Sequence, residues 1–188
     1  MIFLSAGIPE NEPGSDFFTT SDIFAIKDVV RSLATVILTS NVLVYGGQPA
    51  ITSLLKYILC KTSFEHKDNI ILYQSAYFKK EYPFDNEFIT KKNIIDVGFD
   101  LESSLSEMRF QMIKSHPFSA GIFVGGKSGV IEEFNMFRNL HPEAIILPIA
   151  STGAAAMALY HLFNFTDKRL LTDFAYKTLF KNLLTDII

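Results

Sequence analysis

Apolar residues in this chain come in short blocks rather than in single alternation. Ile2-Phe3-Leu4-Ser5-Ala6 is a run that stops at Gly7 and Pro9, which reads as a buried strand. Val42-Leu43-Val44-Tyr45, Ile70-Ile71-Leu72-Tyr73, Ala120-Gly121-Ile122-Phe123-Val124 and Ala144-Ile145-Ile146-Leu147-Pro148-Ile149 read the same way. Ile94-Ile95-Asp96-Val97 is more polar and reads as a strand nearer an edge. Most of the intervals carry helical spacing. Ile23, Ile26, Val30, Leu33 and Ile37 recur at steps of three and four, behind Ser21 or Asp22 as a cap. Ile51, Leu54, Leu55, Ile58 and Leu59 follow Pro49, which suits a first helical turn. Leu105, Met108, Met112 and Ile113 follow Ser103 or Ser104, and a further helix spans about 130–139. Thr152-Gly153-Ala154-Ala155-Ala156 opens an alanine-rich helix, and 170–188 has mostly helical spacing. Residues 10–20 read as a loop and 79–90 as irregular.

Short, continuously apolar strands with helices between them mark a parallel sheet covered on both faces. The predicted fold is α/β: a Rossmann-like open, mainly parallel sheet in three layers. One domain is expected over residues 1–188, with 168–188 as a C-terminal helical segment. That segment either packs on the sheet or presents an apolar patch to a partner.

Composition narrows the function classes. Lys and Arg number 17 against 20 Asp and Glu, a net charge of −3, which argues against extended nucleic acid as a partner. One cysteine, Cys60, excludes an internal disulfide and a cysteine-built metal site. It falls on the apolar side of its helix and reads as core. The four histidines lack metal-ligand spacing, so no metal is assigned. No apolar run approaches the ~20 residues of a membrane crossing, and the N-terminus lacks a basic leader. The expectation is a cytoplasmic protein. The 18 Phe, the absence of Trp and a mean hydropathy of +0.23 are apolar for a domain of this size.

Three predicted strands end in small residues and run straight into a helix. They are Tyr45-Gly46-Gly47-Gln48-Pro49, Val124-Gly125-Gly126-Lys127-Ser128-Gly129 and Ile149-Ala150-Ser151-Thr152-Gly153. In open parallel sheets ligands bind beyond the carboxyl ends of the strands. Glycines there let backbone N–H groups approach a ligand, and the next helix offers unpaired N–H groups with partial positive charge. Together they suit phosphate or pyrophosphate. Ser5 ends the first strand and reads as a ligand donor or as a plain turn serine. Glu132 and Glu133 lie a turn into the helix after Gly129, where a carboxylate can bind ribose hydroxyls or act as acid or base. From spacing alone Arg109 reads as a solvated surface residue, with a phosphate or Glu133 as the other possible partner.

The order of these motifs resembles the SLOG superfamily, named for the LOG phosphoribohydrolases and the Smf/DprA proteins. The resemblance rests on Leu4-Ser5-Ala6-Gly7, Leu43-Val44-Tyr45-Gly46-Gly47, Glu107-Met108-Arg109 and the run from Phe123 to Glu133, and covers roughly residues 2–160. It implies a Rossmann-like sheet that binds nucleotides or their derivatives. LOG enzymes cleave the N-glycosidic bond of nucleoside monophosphates with an arginine, a glutamate and a P-G-G-x-G-T-x-x-E loop. Arg109 and Glu133 fall at those two positions. Val124 replaces the proline, one extra residue sits between Gly126 and Gly129, Val130 replaces the threonine, and Phe110 stands where the enzymes carry lysine. The other branch of the superfamily occurs in bacterial anti-phage systems beside TIR and sirtuin-type domains. Its members are thought to sense NAD-related signals such as cyclic ADP-ribose isomers.

Three readings follow. The first is a sensor for a nucleotide-derived ligand, with no further cofactor required. Gly46, Gly47, Gln48, Gly125, Gly126, Lys127, Ser128 and Gly129 line its phosphate side, with Ser5, Ser151 and Thr152 as hydroxyl donors. Glu133 holds a ribose and Arg109 balances charge. The second is an N-glycoside hydrolase or transferase with Glu133 and Arg109 catalytic. The third is an interaction subunit. The resemblance also implies a homodimer built on the flanking helices, or an effector protein as partner.

Overall fold

The computed structural model describes residues 1–11, 16–61, 66–98 and 100–187. Its strands are β1 (Ile2–Gly7), β2 (Leu43–Tyr45), β3 (Ile70–Ser75), β4 (Lys91–Ile95), β5 (Ala120–Gly125) and β6 (Ile145–Ile149). All pair in parallel, in the order β4-β3-β2-β1-β5-β6. The helices among the described residues are α1 (Phe17–Thr20), α2 (Ile23–Ile37), α3 (Pro49–Lys61), α4 (Leu101–Lys114), α5 (Ser128–Leu140), α6 (Ala154–Leu162), α7 (Arg169–Thr172) and α8 (Tyr176–Leu183). This is the three-layer α/β arrangement expected from the sequence.

Strand parity builds the layers. Ile2 and Leu4 of β1, with Leu43, Tyr45 and Leu72, join a core shared with α2, α3 and α8. Phe3, Val44, Ile71 and Phe123 face the other way, toward α4, α5 and part of α6. The second core is aromatic. The Phe3 ring stacks on Phe137 at 5.3 Å and meets Phe118 and Phe123 edge-on. Gly121 of β5 leaves room for that stack: a Cβ there would stand 2.7 Å from the Phe137 ring. Part of the phenylalanine excess is thus a packing device: Phe3, Phe118, Phe123, Phe134 and Phe137 are all buried in this core. Leu179, Phe180 and Leu184 are buried in the α2 core, so the C-terminal segment packs onto the domain.

Several local expectations are corrected. The edge strand starts at Lys91, three residues before the apolar run. Its residues 91–94 are exposed, and charged edge strands carry no apolar signal. Helix α4 is capped by Asp100, whose carboxylate accepts from the Ser103 N–H at 2.8 Å, and Ser103 completes a capping box instead of opening the helix. Cys60 is exposed rather than core. The loop expected over 10–20 contains α1, and its residues 12–15 lie outside the described set. β3 runs on through Gln74 and Ser75, both buried. The stretch 79–90 holds a 3₁₀ turn, Phe84–Phe88, tied to α3 by Asp85, which accepts from Ser53 Oγ at 2.5 Å and pairs with Lys56 at 2.7 Å. No helix among the described residues is long and apolar enough to cross a membrane.

The stacked ring of Phe137 is fully buried. Phe137→Ala is expected to cost about 3–5 kcal/mol of folding stability in urea unfolding, through lost burial and the cavity left beneath β1. A loss under about 1 kcal/mol would show that the aromatic cluster is not a load point of the fold.

Candidate functional site

A cavity of about 550 Å³ opens at the carboxyl ends of β1, β2, β3 and β5. The direction of chain winding reverses between β1 and β5, because β2 to β4 lie on one side of β1 while β5 and β6 lie on the other. The loops diverge there, as open α/β sheets require for a ligand crevice.

Glu133 is the centre of the site. Ser5 shares the face of Phe3, so its hydroxyl points toward α5 and donates to Glu133 Oε2 at 2.5 Å. Arg109, on α4, approaches from the other side. Its Nε lies 3.6 Å from Glu133 Oε1, and its Nη1 donates to Glu132. The side chains of Arg109 and Glu133 are only 15% and 14% exposed, which removes Arg109 from the solvated surface where spacing alone put it. Burial pushes the Glu133 carboxyl above the ordinary carboxylate range, while the Ser5 hydrogen bond and the Arg109 charge pull it down less strongly. Arg109 Nε is buried and lacks a hydrogen-bond partner among the described residues, since 3.6 Å is too long for one.

The glycines have distinct tasks. Gly125 and Gly126 both take positive φ, 52° and 77°, and turn the chain from β5 into α5. Gly129 matters for space: a Cβ there would stand 2.6 Å from Arg109 Nη2, so the guanidinium lies against its backbone. Helix α5 starts at Ser128 without a side-chain cap; the Val130 N–H is taken by the Lys127 carbonyl at 3.0 Å, while Ser128 and Gly129 bring the positive end of the helix to the cavity wall. Among the described residues, no group of three or more His, Cys, Asp or Glu side chains is placed to hold a metal ion.

A family model described as the SLOG cluster3 family matches residues 16–184. The chain belongs to the SLOG cluster3 family. No curated protein matches it.

Within this SLOG chain the candidate residues separate into two groups. Gly46, Gly47, Gln48, Arg109, Gly126, Lys127, Ser128, Gly129 and Glu133 all line the cavity. Ser5 acts one step behind, through Glu133. Gln48 does so partly as a cap, its Oε1 accepting from the Ile51 N–H at 3.0 Å. Gly125, Ser151 and Thr152 do not line the cavity. The Gly125 N–H donates to Thr152 Oγ1 at 2.9 Å, Thr152 Oγ1 donates to the Ile149 carbonyl, and Ser151 bonds the Tyr176 hydroxyl at 3.0 Å. The third small-residue turn therefore braces the second turn and the C-terminal segment. Its Gly153 is demanded by packing, because a Cβ there would fall 1.8 Å from the Thr20 carbonyl oxygen. Residues that the sequence reading missed include Gln74, at the end of β3, and Phe78, Glu81 and Tyr82 beyond it, all on the cavity wall. Their signal was weak, since they lie past the apolar run of that strand.

A carboxyl with a raised folded-state pKa binds its proton more tightly in the folded chain than in the unfolded one. Stability is then lost as pH rises from the unfolded pKa, ~4.3, through the folded one. Glu133→Gln removes that loss. In urea unfolding, the variant is expected to gain stability relative to the parent as pH goes from about 4 to about 8. A difference that does not widen with pH would contradict a buried, proton-retaining Glu133.

Proposed function

We propose that this SLOG domain binds a nucleotide-derived ligand of the NAD, ADP-ribose or cyclic ADP-ribose type at the carboxyl edge of its sheet. It serves as a sensor or regulatory module in bacterial anti-phage defence, working as a dimer or beside an effector protein. The observation that carries this reading is the uncapped start of α5 opening into a cavity in which Glu133 stands one turn further on. The helix start suits phosphate oxygens, and Glu133 suits ribose hydroxyls. The negative net charge is no obstacle, because backbone N–H groups supply the local positive field. Arg109 is flanked by Glu132 and Glu133, so most of its charge is spent within the protein. It acts as an organiser of Glu133 more than as a phosphate clamp.

One observation favours hydrolysis or transfer at an N-glycosidic bond as a second reading. Glu133 is buried, oriented by Ser5 and biased toward holding its proton, as a general acid or base requires. Balanced against it, Val130 and the extra residue before Gly129 alter the loop that holds phosphate in the LOG enzymes.

Isothermal titration calorimetry with NAD, ADP-ribose and its cyclic isomers separates these readings when paired with chromatography of the same mixtures. The expected result is binding in the micromolar range with no base released. Release of base that stops in Glu133→Gln would select the enzyme reading. No heat below millimolar concentration with any of these ligands would end the sensor reading.

A further inference from the structure

We infer that the cavity has a base subsite at its β3 end, where an aromatic nucleobase of the ligand lies on Phe78 and Tyr82. This rests on the nucleotide reading above and extends it to a base subsite.

The β3 end of the cavity differs in chemistry from the α5 end. Phe78 and Tyr82 line it, both partly exposed, beside Pro83. The Tyr82 ring is pinned in place, because its hydroxyl donates to the Ser75 carbonyl at 2.8 Å. Gln74, almost wholly buried, also reaches the cavity. Its Oε1 accepts from Asn86 Nδ2 at 2.8 Å, which turns its amide nitrogen toward the cavity as a donor. Asn86 belongs to the turn anchored on α3 by Asp85, so the whole wall is braced. The held Tyr82 ring and the Phe78 ring, beside one amide donor, form a stacking surface with a reader for a ring nitrogen.

The test uses the full chain with ADP-ribose, AMP and ribose 5-phosphate as titrants, on the parent, Phe78→Ala and Phe78→Leu. Leucine keeps the apolar packing and removes the ring. Both variants are expected to bind ADP-ribose about tenfold more weakly than the parent while ribose 5-phosphate is unaffected. AMP, which carries the same base, is expected to weaken by about the same factor in both variants. Unchanged ADP-ribose affinity in both variants, or an equal loss for ribose 5-phosphate, overturns the base subsite. A parent chain that binds none of the three overturns the nucleotide reading itself along with this one.

Discussion

A parallel strand buried on both faces sends successive side chains in opposite directions, and in β1 that constraint decides both the core and the site. Ile2 and Leu4 commit to the α2 and α3 layer. Phe3 turns the other way and stacks on Phe137 of α5, which fixes how that helix lies on the sheet. Ser5, two residues on, inherits the same direction and meets Glu133 on the same helix. Aromatic packing and the site are thus consecutive contacts between one strand and one helix. The contact between Ser5 and Glu133 sits beside the paired seam of β1 and β5, and the cavity exists because the chain winds away from that seam on either side.

Glu133 is a cost that the fold bears. Burial disfavours its charge, Ser5 and Arg109 return only part of that, and Arg109 itself keeps a buried Nε without a hydrogen bond. A core needing only stability would place an apolar residue there. Gly129 points the same way, since it admits the guanidinium against the start of α5 and gives up helix propensity to do so. Groups held at such expense inside a cleft mark sites of function more often than packing accidents.

Much of the fold was readable in the sequence because its strands are buried on both faces and so carry unbroken apolar runs. The same rule explains the failures. β4 lies at an edge and puts Lys91 and Lys92 in solvent, so its first half gave no signal. Asp100 outcompetes Ser103 as a cap, which is a choice of local geometry that residue type leaves open. Of the three small-residue turns, two line the cavity. The third spends Ser151 and Thr152 on internal hydrogen bonds, since its partners come from Gly125 and Tyr176, far away in sequence. The meeting of Ser5, Arg109 and Glu133 is likewise a product of topology, with 128 positions separating the first from the last. Local periodicity cannot see such contacts, and the aromatic wall beyond β3 was hidden for the same reason.

The central claim is that the seam between β1 and β5 receives a nucleotide-derived ligand. Amide chemical shifts of the ¹⁵N-labelled chain, followed while ADP-ribose is added, test it most directly, because they report the place of binding and not only its occurrence. The account predicts that the largest movements fall on Gly126, Ser128 and Gly129 and on the Gln74 side-chain amide, with Gly121 and Gly153 unmoved. Movements centred instead on the outer groove between α2 and α8, around Phe174 and Lys177, would place the ligand elsewhere and contradict it.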